Sequence, residues 1–244
     1  LRAEARAIEA VAEALDDGFD RAVDIIATCV ERKGAVLISG LGKSGHIAQK
    51  IAATLSSLGV TSHAVHPTEA AHGDLGRFRP DDAAVCISHS GATDEVIALA
   101  ATLRQDRIPI IGITRKRSDE PSPLERLSTA VLDDAVEREA GESLPAPLLA
   151  PTSSTTAALA IGDALALAVA ARARFTNEDF AKRHPGGRLG GVLRPGTDLL
   201  RFRVGDNLAL IEPAETVRAA LARAATTARR PGALLVVDPG TGAL

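Results

Sequence analysis

Two Ser/Gly loops carry the chemistry that is easiest to read from this chain. Ser39-Gly40-Leu41-Gly42-Lys43-Ser44-Gly45-His46 follows the apolar run Ala35-Val36-Leu37-Ile38, and Ser88-His89-Ser90-Gly91-Ala92-Thr93 follows Ala83-Ala84-Val85-Cys86-Ile87. Glycines let backbone N–H groups approach an anion, hydroxyls donate to its oxygens, and a following helix adds partial positive charge at its N-terminus. The expected ligand therefore carries a phosphate. The same sequence supplies a cation, Lys43, carboxylates at Glu69, Glu95 and Glu139, and histidines at 46, 66, 72, 89 and 184. Such groups around a phosphate site suit proton transfer on a phosphosugar, with a base removing a C–H proton beside a carbonyl.

Two nucleotide readings of the first loop fail. Gly40-x-Gly42-x-x-Gly45 matches a dinucleotide fingerprint, but the second strand, Thr61-Ser62-His63-Ala64-Val65-His66, ends without the acid that would hold a ribose. A P-loop needs a glycine where Leu37 stands. Histidines 66, 72 and 184 match no standard metal-ligand spacing, so no metal is expected.

The elements that must position these groups follow from periodicity. Residues 1 to 33 read as two helices broken near Gly18; then come strand 35 to 39, helix 45 to 58, strand 61 to 65, strand 83 to 88, helix 93 to 105, strand 109 to 114, strand 129 to 134 and helix 153 to 173. Apolar strands alternating with helices predict an α/β, three-layer, doubly wound parallel sheet, with ligands at the strands' carboxyl ends. Pro185-Gly186-Gly187 through Pro195-Gly196 punctuates the chain, predicting a main domain over 1–196 and an appendage over 197–244, with a helix over 215–223 and a strand over 233–237.

Composition narrows the partners. With 28 basic and 31 acidic residues and 2% aromatics, the 244-residue chain has neither the charge nor the stacking platforms for nucleic acid. The apolar stretch 157–171 contains Gly162 and Asp163 and is read as too short to span a bilayer, Asp163 being a paired polar group instead. Cys29 and Cys86 are expected as buried thiols in a reducing cytoplasm. The absence of methionine, the start at Leu1 and the abrupt end at Leu244 read as a fragment.

Six ordered blocks, SGLGKSGH (39–46), HPTEAAHGDL (66–75), SHSG (88–91), APTSSTTA (150–157), GDAL (162–165) and HPGG (184–187), resemble the D-arabinose-5-phosphate isomerases. These are sugar isomerase (SIS) domain proteins that carry paired CBS modules at the C-terminus. The resemblance covers residues 1 to 200 and implies a flavodoxin-like SIS fold with a truncated CBS segment. It implies aldose–ketose isomerisation of arabinose 5-phosphate and ribulose 5-phosphate through an enediol, without cofactor, feeding Kdo and lipopolysaccharide synthesis. By motif position Gly42, Ser44, Ser88, His89, Ser90 and Thr93 would hold phosphate, while Lys43, Glu95, Glu139 and His184 would surround the sugar, with His184 or Glu139 moving the proton. A homotetramer sharing sites between copies is implied, a role for His72 and His184, as is a nucleotide ligand for a complete CBS pair.

The chain departs from the family in two places. Its loop usually reads Ser-Asn-Ser-Gly-Glu, where this chain has His89 and Ala92, which leaves main-chain phosphate contact at position 89. The segment from Glu139 to Pro151 is about four residues longer than the family's, so Glu142 competes with Glu139 for the catalytic position. The rival readings are a non-catalytic phosphosugar sensor and an isomerase of a different sugar phosphate. Residues 1 to 33 show no Lys/Arg-rich recognition helix of the kind such sensors use.

Overall fold

The computed structural model describes residues 1–116, 119–184, 208–225, 234–238 and 240. It divides into two compact units, Leu1–Gly187 and Arg188–Leu244. The punctuation between Pro185 and Gly196 lies outside the described residues.

In the first unit five strands, β1 (Val36–Gly40), β2 (Ser62–Val65), β3 (Ala83–Ile87), β4 (Ile110–Thr114) and β5 (Ala130–Asp133), form one sheet in the order β2-β1-β3-β4-β5, every pair parallel. This is the flavodoxin-like order. Strands β1, β3 and β4 are buried along their whole length, which is why they read as unbroken apolar runs rather than alternating ones.

Side chains alternate between two cores. Val36, Ile38, Val85, Ile111, Ile113 and Leu132 point toward α1 (Arg2–Ala14), α2 (Asp17–Glu31), α3 (Lys43–Ser57) and α7 (Ser153–Arg172). Leu37, Ala84, Cys86 and Ile110 point toward α4 (Pro67–Ala71), α5 (Asp94–Gln105) and α6 (Pro123–Leu127). Because crossovers are right-handed, leaving β1 toward β2 and leaving β3 toward β4 puts α3 and α5 on opposite faces. The chain therefore parts between β1 and β3, and a crevice opens where both Ser/Gly loops leave the sheet.

Helix α7 is apolar on every side because it packs among α1, α2 and α3. It is long and apolar enough to cross a membrane by length and composition, longer than the 157–171 stretch suggested, with half of that window buried in the protein. Asp163 on it pairs with Lys50 of α3. At Gly162 the two helices come so close that a Cβ would lie 2.2 Å from Ile51 Cδ1. The first helical break falls at Leu15–Asp16 rather than near Gly18: Asp16 caps α2 by accepting from Gly18 N at 2.8 Å, and Gly18 sits in its first turn. Cys29 and Cys86 are buried free thiols, pushed up by burial to about 11 and about 12.

In the second unit β6 (Ala209–Ile211) pairs in parallel with β7 (Leu234–Val236), and α9 (Val217–Ala225) lies between them in sequence; α8 (Asn177–Arg183) closes the first unit. Among the described residues of this unit only Ala209 and Ala220 are buried hydrophobics.

Candidate active site

The loop after β1 is shaped by three glycines. A Cβ on Gly40 would lie 2.8 Å from the Ser44 carbonyl carbon, and one on Gly45 the same distance from Gly40 O. Gly42 has φ +58° and ψ −122°, a conformation open to glycine, and its position lets α3 start at Lys43 with Ser44 in the first turn. The loop after β3 turns at Gly91, with φ +64°, against Ser122, whose Oγ lies 2.1 Å from where a Cβ would be. This turn gathers hydroxyls: Ser88 Oγ is 2.8 Å from Thr93 Oγ1 and 3.5 Å from Ser90 Oγ, which accepts from Ala92 N at 3.3 Å. Thr93 is also the residue from which α5 begins.

Between the loops lies a cavity of about 280 Å³ lined by Lys43, Ser44, Ser88, His89, Ser90 and Thr93, with Asp134, Glu139 and Ser154 facing them. A neighbouring cavity of about 650 Å³ beyond β4 and β5 is larger, but it is lined by Arg115, Lys116, Asp133 and Glu137 and contains none of the loop hydroxyls. The smaller one joins an anion cradle, a cation and a carboxylate, so it is the candidate site.

Glu139 is fixed at the start of α7. Its Oε2 accepts from Thr152 N at 2.7 Å, Thr152 Oγ1 at 3.1 Å and Ser154 N at 3.3 Å, and Oε1 accepts from Ser154 Oγ. Burial acts to raise this carboxyl, but the Ser154 and Thr152 donors outweigh it and the net direction is downward. Glu139 is therefore an ionised group at neutral pH. Glu142 instead turns back, its Oε1 accepting from Glu139 N at 2.7 Å, and does not line the cavity. The segment predicted to blur the choice between the two acids thus makes one the brace of the other.

His89 carries a partner that sequence reading missed. Its Nδ1–H donates to Asp134 Oδ2 at 2.7 Å, and Asp134, at 1% exposure, also accepts from Val136 N at 3.1 Å. The hydrogen bond to Asp134 raises the imidazole above its ordinary value despite partial burial. Burial pushes the Asp134 carboxyl up in turn, with the His89 contact opposing it. The available signal was position: Asp134 directly follows β5, at the carboxyl edge where the loops lie.

Other predicted residues are not brought into this cavity. Glu95 is exposed in the first turn of α5, His72 is exposed at the end of α4, and neither lines it. His184 ends α8, with Nδ1–H donating to Phe180 O at 2.8 Å and its ring stacked on Phe180 at 3.9 Å. The neighbouring Arg183 and Phe175 reach Gly59, beyond the far end of α3 from Lys43. At 1.5 Å per residue that 15-residue helix is about 22 Å long, so His184 lies at the opposite edge of the sheet from its own chain's loops. Among the described residues no three His, Cys, Asp or Glu side chains are grouped to hold a metal ion.

Comparison with known proteins gives this geometry a setting. The SIS domain family model matches residues 30–168. The chain is 40% identical over 222 residues to arabinose 5-phosphate isomerase KdsD of Francisella tularensis, covering 91% of this chain and 65% of that protein. It is 47% identical over 182 residues to arabinose 5-phosphate isomerase GutQ of Escherichia coli K12, covering 74% and 53%. The chain thus spans between half and two thirds of the length of these relatives. The solved structure of E. coli CFT073 c3406 in complex with A5P superposes with a TM-score of 0.68 at 37% identity, over 75% of this chain and 93% of that one.

Proposed function

Because the chain belongs to the SIS domain family, we propose that it interconverts D-arabinose 5-phosphate and D-ribulose 5-phosphate. The observation that carries this reading is that the hydroxyl cradle, Lys43 and an ionised Glu139 line one cavity. Ser44, Ser88, Ser90 and Thr93 with the loop N–H groups hold the phosphate, and that anchor places the sugar's first two carbons toward Lys43 and Glu139. A base removes the C2 proton of the aldose and the electrons move into an enediol as the C1 carbonyl oxygen gains a proton; the proton then returns to C1 while the C2 hydroxyl gives up its own, leaving the C2 carbonyl of the ketose. Glu139 has the charge state for a base but is engaged by four donors.

The other proton carrier is His184, which in this reading serves the site of a neighbouring copy; its place at the far end of the sheet from its own chain's loops supports that assignment. Exposed His72 fits the same role, so the working form is a homotetramer with shared sites, acting in the cytoplasm. Glu95, in the first turn of α5, stands outside the cavity. Run from ketose to aldose, the same reaction supplies arabinose 5-phosphate to the Kdo branch of lipopolysaccharide synthesis. The domains divide as 1–196 and 197–244, the latter being the opening of a CBS module whose complete pair binds a nucleotide.

The test is arabinose 5-phosphate in D₂O, with the C2 proton and ketose followed by NMR in the wild type, His184→Ala and Glu139→Ala. Exchange with ketose formation, lost in one variant, identifies the base. Binding without exchange refutes the arabinose 5-phosphate isomerase and leaves the sensor reading or an isomerase of a different sugar phosphate.

A further inference from the structure

The family pattern places an amide where this chain has His89, and main-chain contact alone would make the side chain immaterial. The structure gives that side chain a defined arrangement. His89 sits between Ser88 and Ser90 in the hydroxyl loop, lines the cavity with a side-chain exposure of 35%, and is tied through Nδ1 to a carboxylate exposed by only 2%. A carboxylate on Nδ1 orients the ring and leaves Nε2 as the nitrogen that can meet a ligand. Among the described residues Nε2 has no hydrogen-bond partner in the protein.

The geometry points to a side-chain role: His89 presents Nε2–H as an imidazolium donor to the phosphate of the ligand, and Asp134 is the residue that positions it. This deepens the phosphosugar reading and rests on it for the location of the phosphate. The neighbours on the same loop are hydroxyls that already form the cradle, so Nε2 meets the phosphate end of the ligand rather than the end at Glu139. Asp134 balances the imidazolium charge from behind, which places the positive end of the pair toward the cavity. The other charges facing His89 are Glu139, which favours the cation, Arg115 after β4, which opposes it, and Lys43 across the cavity. With Asp134 dominant, the cation persists above the ordinary imidazole range, so phosphate binding gains a protein-borne pH dependence there.

Sulfate is the probe, because it keeps its double charge where phosphate and sugar phosphates titrate. Histidine ring resonances of the whole protein are followed with pH and with sulfate, the His89 signals being those missing in His89→Asn. The expected results are a His89 titration above the ordinary value that sulfate moves higher still, and sulfate affinity that falls as pH rises through it. His89→Asn, which restores an amide at a partly exposed position, should bind sulfate about tenfold more weakly near neutral pH and lose the pH dependence. Asp134→Asn should move the His89 titration downward; if that variant does not fold by circular dichroism, the first variant decides alone.

Sulfate binding that is equal in wild type and His89→Asn overturns the inference while leaving isomerase turnover standing. Binding linked to His89 in a protein that exchanges no C2 proton sustains it and refutes the isomerase reading. No sulfate binding by the wild type overturns it outright.

Discussion

Replacing Glu139 separates its mechanical role from any chemical one. The carboxylate receives two backbone N–H groups and two hydroxyls at the start of the 20-residue α7. Glu139→Ala removes an N-terminal cap, worth about 1 kcal/mol, and a favourable charge at the helix dipole, worth about 0.3–1 kcal/mol. It also strands the hydroxyl of Ser154, which is 4% exposed, at a cost of about 1–3 kcal/mol for an unsatisfied buried group. The sum is about 3 kcal/mol, and for a unit of this size each kcal/mol moves the melting temperature by about 2–4 °C, giving a fall of about 6–12 °C. Glu139→Gln keeps an acceptor and loses the charge, for about 1 kcal/mol. If the carboxylate also moves the proton, both variants lose turnover alike while their stabilities differ.

The pH dependence has a definite sign. The folded protein holds the carboxyl below its ordinary value of 4.5, so its stabilising contribution is present above that value and is lost as pH falls through the folded one. The melting difference between wild type and Glu139→Gln should therefore shrink in acid. Differential scanning calorimetry from neutral pH into that range measures it. A Glu139→Ala protein that melts within about 2 °C of wild type at neutral pH refutes the capping argument.

Three other outcomes follow. Gly91→Ala puts a Cβ 2.1 Å from Ser122 Oγ at φ +64°, and should lower the urea-unfolding free energy by about 2 kcal/mol or more and weaken sugar-phosphate binding; an unchanged midpoint contradicts the turn geometry. Ser88→Ala removes the centre of the hydroxyl cluster and should raise KM by about tenfold or more with a smaller change in kcat, measured by ketose formation. Inactive Glu139→Ala and His184→Ala proteins, mixed under conditions that exchange subunits, should regain activity if His184 serves a neighbour's site; a mixture that stays inactive puts both groups to work in one chain.

The strands that frame the site were legible because β1, β3 and β4 are covered on both faces and leave continuous apolar runs, those of β1 and β3 ending in glycine-bearing loops. From that pattern alone the crevice between β1 and β3 could be placed. The short helices α4 and α6 were not read, although Pro67 and Pro123 stand at their first positions and Ser122 with Glu125 forms a capping box. Five residues are too few to show a helical period. Asp134 escaped because its meaning depends on His89, 45 residues away and two strands along the sheet order. The choice between Glu139 and Glu142 was equally closed to sequence reading, since both lie in one acidic run and only their hydrogen bonds separate them. Thr152 is the N-cap residue of α7 but makes no side-chain capping bond; Glu139 does that work, and Thr152 and Ser154 serve as its donors.

The contact between Gly162 and Ile51 acts as a fulcrum. Gly162 lies nine residues into α7 and Ile51 eight residues into α3, so the pivot stands about 13 Å from one helix start and about 12 Å from the other. Those starts carry the Glu139 donors and Lys43 with Ser44. The two helices share an extended contact that includes the Lys50–Asp163 pair, and a Cβ at Gly162 would push against Ile51 within it, forcing the helices and the starts they carry to shift. A residue that never meets the ligand thus bears on the width of the gap that receives it.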